Sequence, residues 1–280
     1  MNAKLVEEVA NAVLYEGYLL YPYRSSSVKN QQRWNFGVVH PPAFGETSSM
    51  QTECLVQCPI GAVLRVRVRF LHLIGEQAMP REVEMSLPIT AACKESQEFA
   101  FEPLEEQEPV QGRLAVAIEL LTGDLFKVHA QILNTTAFEG SSREEALKRA
   151  FISTHTILSM EHGQFISLLD PPAESSEHAA ACKNIGTWPV LVGEDGTMDA
   201  MLSSPIILYD YPKIAPESPG ALFDGTEIDE ILTLRIMTLT DQEKMEMAST
   251  DDRAKEILER TESMPPEQFM KLHGILRSLA

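Results

Sequence analysis

Leu64-Arg65-Val66-Arg67-Val68-Arg69-Phe70 alternates without a break, four apolar side chains on one parity and three arginines on the other. A period of two places those sets on opposite faces of a strand, so this stretch establishes a half-buried β-strand and, with it, a sheet. Downstream, Glu82-Val83-Glu84-Met85-Ser86-Leu87 alternates in the same way, with acids where the first stretch has arginines. Arg65, Arg67 and Arg69 are therefore expected to pair with Glu82 and Glu84 across two strands rather than to bind an anion. Leu114, Val116, Ile118 and Leu120 share the period again, Thr122-Gly123-Asp124 is a turn signal, and 126–133 is the returning strand. Residues 50–135 thus read as an antiparallel meander. Within it, residues 94–110 hold six glutamates and one lysine; that composition reads as a solvated loop carrying one short strand at most.

On the N-terminal side, Leu5, Val6, Val9 and Val13 recur at helical spacing with Glu7 and Glu8 off the stripe, giving a helix over 3–15 that Gly17 stops. The aromatic, proline-punctuated run Tyr18-Leu19-Leu20-Tyr21-Pro22-Tyr23 reads as irregular chain. On the C-terminal side, Ser142-Arg143-Glu144-Glu145 has the form of a capping box. Leu147, Ala150, Phe151, Thr154, Ile157 and Leu158 then fall on one face of an expected central helix that Gly163 ends. A strand is expected at 164–169. Residues 171–225 are rich in loop formers, and Pro212, Pro216 and Pro219 bar regular structure from 210–224. Thr226 is expected to cap a helix carrying Ile228, Ile231, Leu232 and Ile236; Thr240-Asp241-Gln242-Glu243 forms a second capping box; a charged helix spans 251–262, and Pro266 opens a last one. The expected fold is α+β: N-terminal helix, antiparallel β region, central helix, loop-rich segment and helical C-terminus. The expected division is an α+β core over 1–172 and a loop-rich, helical region over 173–280.

Hydrophobic residues make up 44% of the 280, enough for a packed core, and the formal charge is −18 with a pI near 4.8. Such a charge repels nucleic acid and anionic lipid and suits an electropositive protein partner. No apolar run approaches the roughly 18 residues that span a bilayer. The first 14 residues carry two glutamates and no small-residue cleavage site, so membrane insertion and export are not expected and a cytoplasmic location is.

Three constellations are candidates for chemistry. Cys54, Cys58, Cys93 and Cys182, joined by His72, His129 or His178, have the chemistry of a soft metal site, although Cys54-x3-Cys58 lacks the spacing of a zinc ribbon or redox pair. Small buried apolar residues are the commoner role of free cysteine. His155 and His162 lie seven apart and would share a helix face, but helical metal ligands more often sit four apart. Asp210, Glu217, Asp224, Glu227, Asp229 and Glu230 supply oxygens suited to magnesium or calcium; Glu227, Asp229 and Glu230 are also explained by the N-terminal dipole of the helix after Thr226. Phosphate-loop, nucleophile-elbow, dinucleotide, zincin and kinase signatures do not occur. No cofactor is predicted; a metal ion belongs to the alternative reading only.

Longer segments carry a resemblance. They are Tyr15-Glu16-Gly17-Tyr18-Leu19-Leu20-Tyr21-Pro22-Tyr23-Arg24, Arg33-Trp34-Asn35-Phe36-Gly37, Ser167-Leu168-Leu169-Asp170-Pro171-Pro172, Gly186-Thr187-Trp188-Pro189-Val190-Leu191-Val192-Gly193, Pro205-Ile206-Ile207-Leu208-Tyr209-Asp210 and Ala215-Pro216-Glu217-Ser218-Pro219-Gly220 running into Phe223-Asp224-Gly225-Thr226-Glu227. Over most of its length the chain resembles an uncharacterised bacterial family associated with gene clusters of high-affinity, actinobacterial-type nickel–iron hydrogenases. The resemblance implies an accessory or assembly role and brings no catalytic residues with it. A partner protein, such as a hydrogenase subunit, would then be met by Tyr18, Tyr21, Tyr23, Trp34, Glu217, Asp224 and Glu227, aromatic anchors and an acidic loop. The alternative is a metal-dependent enzyme or metal-delivery protein using the Cys/His set or that loop.

Overall fold

The computed structural model describes residues 3–15, 35–75, 77–102, 109–213, 229–250 and 252–272. It divides into two units: residues 1–14 with 36–211, and residues 15–35 with 212–280. The boundary expected after 172 falls inside the first unit, because strands beyond it complete a sheet begun at residue 63.

Among the described residues the first unit has ten strands: β1 (Ser49–Gln57), β2 (Val63–Ile74), β3 (Gln77–Pro88), β4 (Ala92–Phe101), β5 (Val110–Thr122), β6 (Leu125–Asn134), β7 (Ile152–Glu161), β8 (Gln164–Ile166), β9 (Trp188–Leu191) and β10 (Ala200–Ser204). They form two antiparallel sheets, one ordered β4-β5-β6-β1-β8 and the other β3-β2-β7-β10-β9. Even-numbered apolar residues from both sheets, among them Cys54, Val56, Leu64, Val66, Val68, Leu114, Val116, Phe126 and Val128, join in one buried core, so the sheets pack face to face. Phe70, Phe99, Phe101 and Phe151 close one side of that core, with neighbouring ring centroids 4.5–6.2 Å apart.

The opening alternation is realised as β2. Arg67 pairs with Glu84 and Arg69 with Glu82 in the register with β3. Helix α1 (Ala3–Leu14) packs on the same outer face, against β2, β7 and β10, burying Val6, Val9 and Val13. Its off-stripe Glu7 bridges Arg67 and Arg69.

Two expectations are corrected. The central helix is only α2 (Arg143–Leu147), opened by the expected box in which Glu145 N–H donates to Ser142 Oγ at 3.2 Å. Residues 152–161 are strand β7, not helix. This strand is covered on both faces, by the core and by α1, and a strand buried on both sides reads as a continuous apolar run that mimics a helix stripe. Residues 92–101 are likewise the ten-residue strand β4, not a loop. It is the edge of the first sheet, so its glutamates stay in water while Phe99 and Phe101 reach the core.

Gly37 is required by geometry. Its φ is +54°, and a Cβ there would lie 2.7 Å from Pro205 and 3.0 Å from the Thr154 nitrogen.

In the second unit the described helices are α4 (Asp229–Met237), α5 (Asp241–Thr250), α6 (Asp252–Glu262) and α7 (Pro266–Lys271). The Thr240 box caps α5, with Thr240 N–H donating to Glu243 Oε2 at 2.8 Å, and Lys244 reaches Glu262 on α6 at 2.9 Å. Thr226 lies outside the described residues. No described helix is long and apolar enough to cross a membrane.

Candidate functional site

The outer face of the first sheet is covered over only part of its width. The short helix α3 (Ser176–Ala180) lies against β1, where Ala179 buries with Leu55, Leu125 and Ile166. Over β4, β5 and β6 the described chain leaves the face open, and the sequence there makes a depression. On β5, Ala115 and Ala117 occupy successive outward positions. Lys94 and Ser96 on β4 stand beside Ala117 and Ala115, and His129 and Gln131 on β6 stand on their other side. Two side chains that end at Cβ, between two rows of longer ones, leave a trough of about 350 Å³, with Arg113 and Leu133 at one end. Among the described residues no carboxylate lines it.

His129 is held from behind. Its Nδ1 lies 3.2 Å from Glu53 Oε1 on the adjacent strand, and the other oxygen, Glu53 Oε2, accepts the Lys183 N–H at 2.8 Å. The Glu53 backbone N–H donates to Asn184 Oδ1 at 2.8 Å, and the carboxylate itself is held by Lys183 on one oxygen and His129 on the other. Burial pushes the Glu53 carboxyl upward, but the Lys183 and His129 hydrogen bonds and the charge of Lys127 outweigh it, and the net shift is downward. An ionised Glu53 favours the His129 tautomer with its proton on Nδ1, leaving Nε2 as the nitrogen free for a ligand.

The four thiols do not gather at one site, and only Cys182 is near enough to Cys54 to add to the upward shift of its thiol. Cys54 points into the core between the sheets, and burial pushes it well above the ordinary thiol range. Burial first and Asp124 second raise Cys58 to about 11. Cys93 packs against the inter-sheet core from β4; Cys182, raised to about 11 by burial and then by Glu53, packs beside Leu55 and Leu125. Among the described residues, no three His, Cys, Asp or Glu side chains are arranged to hold a metal ion.

The histidines likewise separate. His155 is sealed on β7, its Nδ1 2.9 Å from the Ser153 carbonyl, and burial lowers it to about 3 with Arg69 and Arg67 adding to the shift. His162 sits in the β7–β8 turn at φ +63°. The shared helix face expected for the pair does not exist, because both lie on or beside a strand.

Asp210, the first acid of the acidic loop, is a clamp. Its Oδ2 accepts from Ser167 Oγ at 2.5 Å and its Oδ1 from the Leu191 N–H at 2.7 Å. Ser167 Oγ in turn accepts the N–H groups of Leu169 and Asp170. The Tyr211 N–H bonds to the Leu191 carbonyl at 2.8 Å, so chain 210–211 is tied along edge strand β9. Around this edge, apolar side chains face solvent: Trp188 is 45% exposed, Ile207 76% and Tyr209 70%. Tyr18, Tyr21, Tyr23, Trp34, Glu217, Asp224 and Glu227 lie outside the described residues.

Neither the trough nor the Trp188 edge was singled out from sequence. The signal for the trough was Arg113, Ala115 and Ala117 on one parity, which means a trough only once His129 is registered opposite Ala117. No protein-family model matches the chain, and no curated protein matches it.

Proposed function

We propose that this chain is a non-catalytic accessory or assembly protein that binds a partner protein in the cytoplasm, in nickel–iron hydrogenase biogenesis as its sequence resemblance implies. One observation carries the reading. Trp188, Ile207 and Tyr209 stand exposed along an edge strand whose adjoining segment is pinned by the Ser167–Asp210–Leu191 clamp. Aromatic and branched side chains presented on a pre-ordered backbone lose little entropy on docking, the pattern of interface anchors. The buried, proton-retaining thiols fit the same reading, since a thiol that keeps its proton at neutral pH is a poor nucleophile and a poor metal ligand.

Affinity purification of the full chain from cells expressing the hydrogenase tests this. The expected result is stoichiometric recovery of a hydrogenase subunit, lost in a Trp188→Ser, Ile207→Asp double variant whose melting is unchanged. Recovery of no subunit, or full recovery by the double variant, overturns it. Stoichiometric metal in the purified protein by elemental analysis moves the reading to the metal-dependent alternative.

A further inference from the structure

The trough on the first sheet has properties that partner docking at the Trp188 edge does not use. In a chain of net charge −18, whose overall field repels anions, it is lined by Lys94, Arg113 and His129 and, among the described residues, by no acid. Ser96 and Gln131 add neutral hydrogen-bonding groups on either wall. Among the described residues Lys94 has no ion-pair partner. Arg113 has only Glu98, at 3.8 Å, and both side chains are largely in water, where such a pair contributes little and yields easily to a ligand. The volume, about 350 Å³, lies within the range of small-molecule sites.

We propose that the trough binds a small oxyanion-bearing molecule, carrying a carboxylate or phosphate group. The Arg113 guanidinium takes two oxygens in fork geometry, Lys94 supplies a point charge from β4, and His129 Nε2, which carries no proton in this tautomer, accepts from a hydroxyl beside the anionic group. Glu53 acts as a positioning residue. It holds the ring of His129 so that Nε2 stays available, and the Lys183 N–H, bonded to the other carboxylate oxygen, keeps the Glu53 side chain from turning. The apolar floor of Ala115 and Ala117 leaves room for a short carbon skeleton under the charged group.

Inorganic phosphate and succinate, each titrated into the full chain at constant ionic strength, test the proposal and separate the two sources of the oxyanion. The readout is the ring proton resonance of His129, assigned with His129→Gln. The expected result is a saturable shift with at least one of the two probes, weakened about tenfold or more in Lys94→Met and again in Arg113→Met, since each removes one charge-assisted bond. Both substitutions fall on exposed or half-exposed strand positions, so thermal melting is expected to stay near that of the parent. A shift with phosphate alone assigns a phosphorylated ligand, and one with succinate alone a carboxylate. No saturable shift with either probe overturns the proposal, as does a shift that survives the Lys94→Met, Arg113→Met double variant. Loss of partner recovery in the Trp188→Ser, Ile207→Asp variant reads a different face, so either proposal can fail without the other.

Discussion

On the second sheet Arg65, Arg67 and Arg69 stand in a row, and each meets a carboxylate: Glu84 and Glu161 for Arg65, Glu7 and Glu82 for Arg67 and Arg69. On the first sheet Lys94 and Arg113 flank a trough that no described carboxylate lines. Both are outward faces of twisted antiparallel sheets in the same unit. They differ in cover. A helix lies across the Arg67 and Arg69 end of the row, largely buries those two, and brings Glu7 and Asn11 to them; the lysine and arginine of the other face remain in water over two alanines. Cationic strand residues therefore become structure where cover and counter-charge arrive together, and remain available to a ligand where cover is missing and the one counter-charge, Glu98 on Arg113, is itself in water.

The largest expected effect tests the cover itself. Val9 is fully buried on α1, and Val9→Asp is expected to cost about 3 kcal/mol or more by urea unfolding, because it forces an unpaired carboxylate into an apolar contact. Ala117→Asp on the open face is expected to cost less than about 1 kcal/mol. Equal losses would end the distinction between the faces.

Next comes pH. His155 lies on the covered face with a pKa near 3, and His72 on the same strand system is lowered to about 4 by burial, with Arg81 adding to it. Both values lie below the unfolded 6.5, so the unfolded state binds more protons between those limits. Stability is therefore full above about pH 6.5 and falls as pH drops, by up to about 1.4 kcal/mol per unit for each ring, through pH 4 for His72 and pH 3 for His155. Unfolding free energies measured from pH 6.5 to 5, above the carboxylate range, are expected to show this slope, with a further contribution from His40, lowered by burial, and to lose one ring's share in His155→Leu. An unchanged slope in that variant would mean that α1 does not seal the ring.

Smaller still is the direct exchange of cations. The Arg69 side chain is 11% exposed and bonded to Glu7, Asn11 and Glu82, so Arg69→Ala is expected to cost about 2–3 kcal/mol by leaving those partners unmatched. Lys94→Ala is expected to cost less than about 0.5 kcal/mol. The smallest effect is Glu98→Gln, below about 0.5 kcal/mol in the same denaturation assay, because its 3.8 Å pair with Arg113 is solvent-exposed. A larger loss would show that the open face is itself an ionic clamp.

Periodicity was legible wherever one face of an element is wet. The β2 and β3 alternations, the Arg–Glu cross-strand pairs, the Thr122–Asp124 turn, helix α1 and both capping boxes follow from residues two to four apart, and short-range spacing encodes short-range geometry. Where an element is dry on both sides the code degenerates, as in β7, whose residues 152–158 are all buried and spell strand and helix alike. The edge strand β4 failed for the opposite reason, since its glutamates answer to water while pairing with β5 holds its shape.

Residue order thus carries an acidic α+β chain with antiparallel strands, an N-terminal helix, helices in the C-terminal region and an arginine row matched to glutamates, whereas the single meander expected over 50–135 divides between two sheets. Only the tertiary structure decided that there are two sheets, that β9 and β10 join the one begun at β2, that the four thiols part company, and that Glu53, His129, Lys94 and Arg113 surround one trough. The reason is range: residues 53, 94, 113 and 129 become neighbours through strand register, a property of hydrogen bonding between distant segments that no local spacing records.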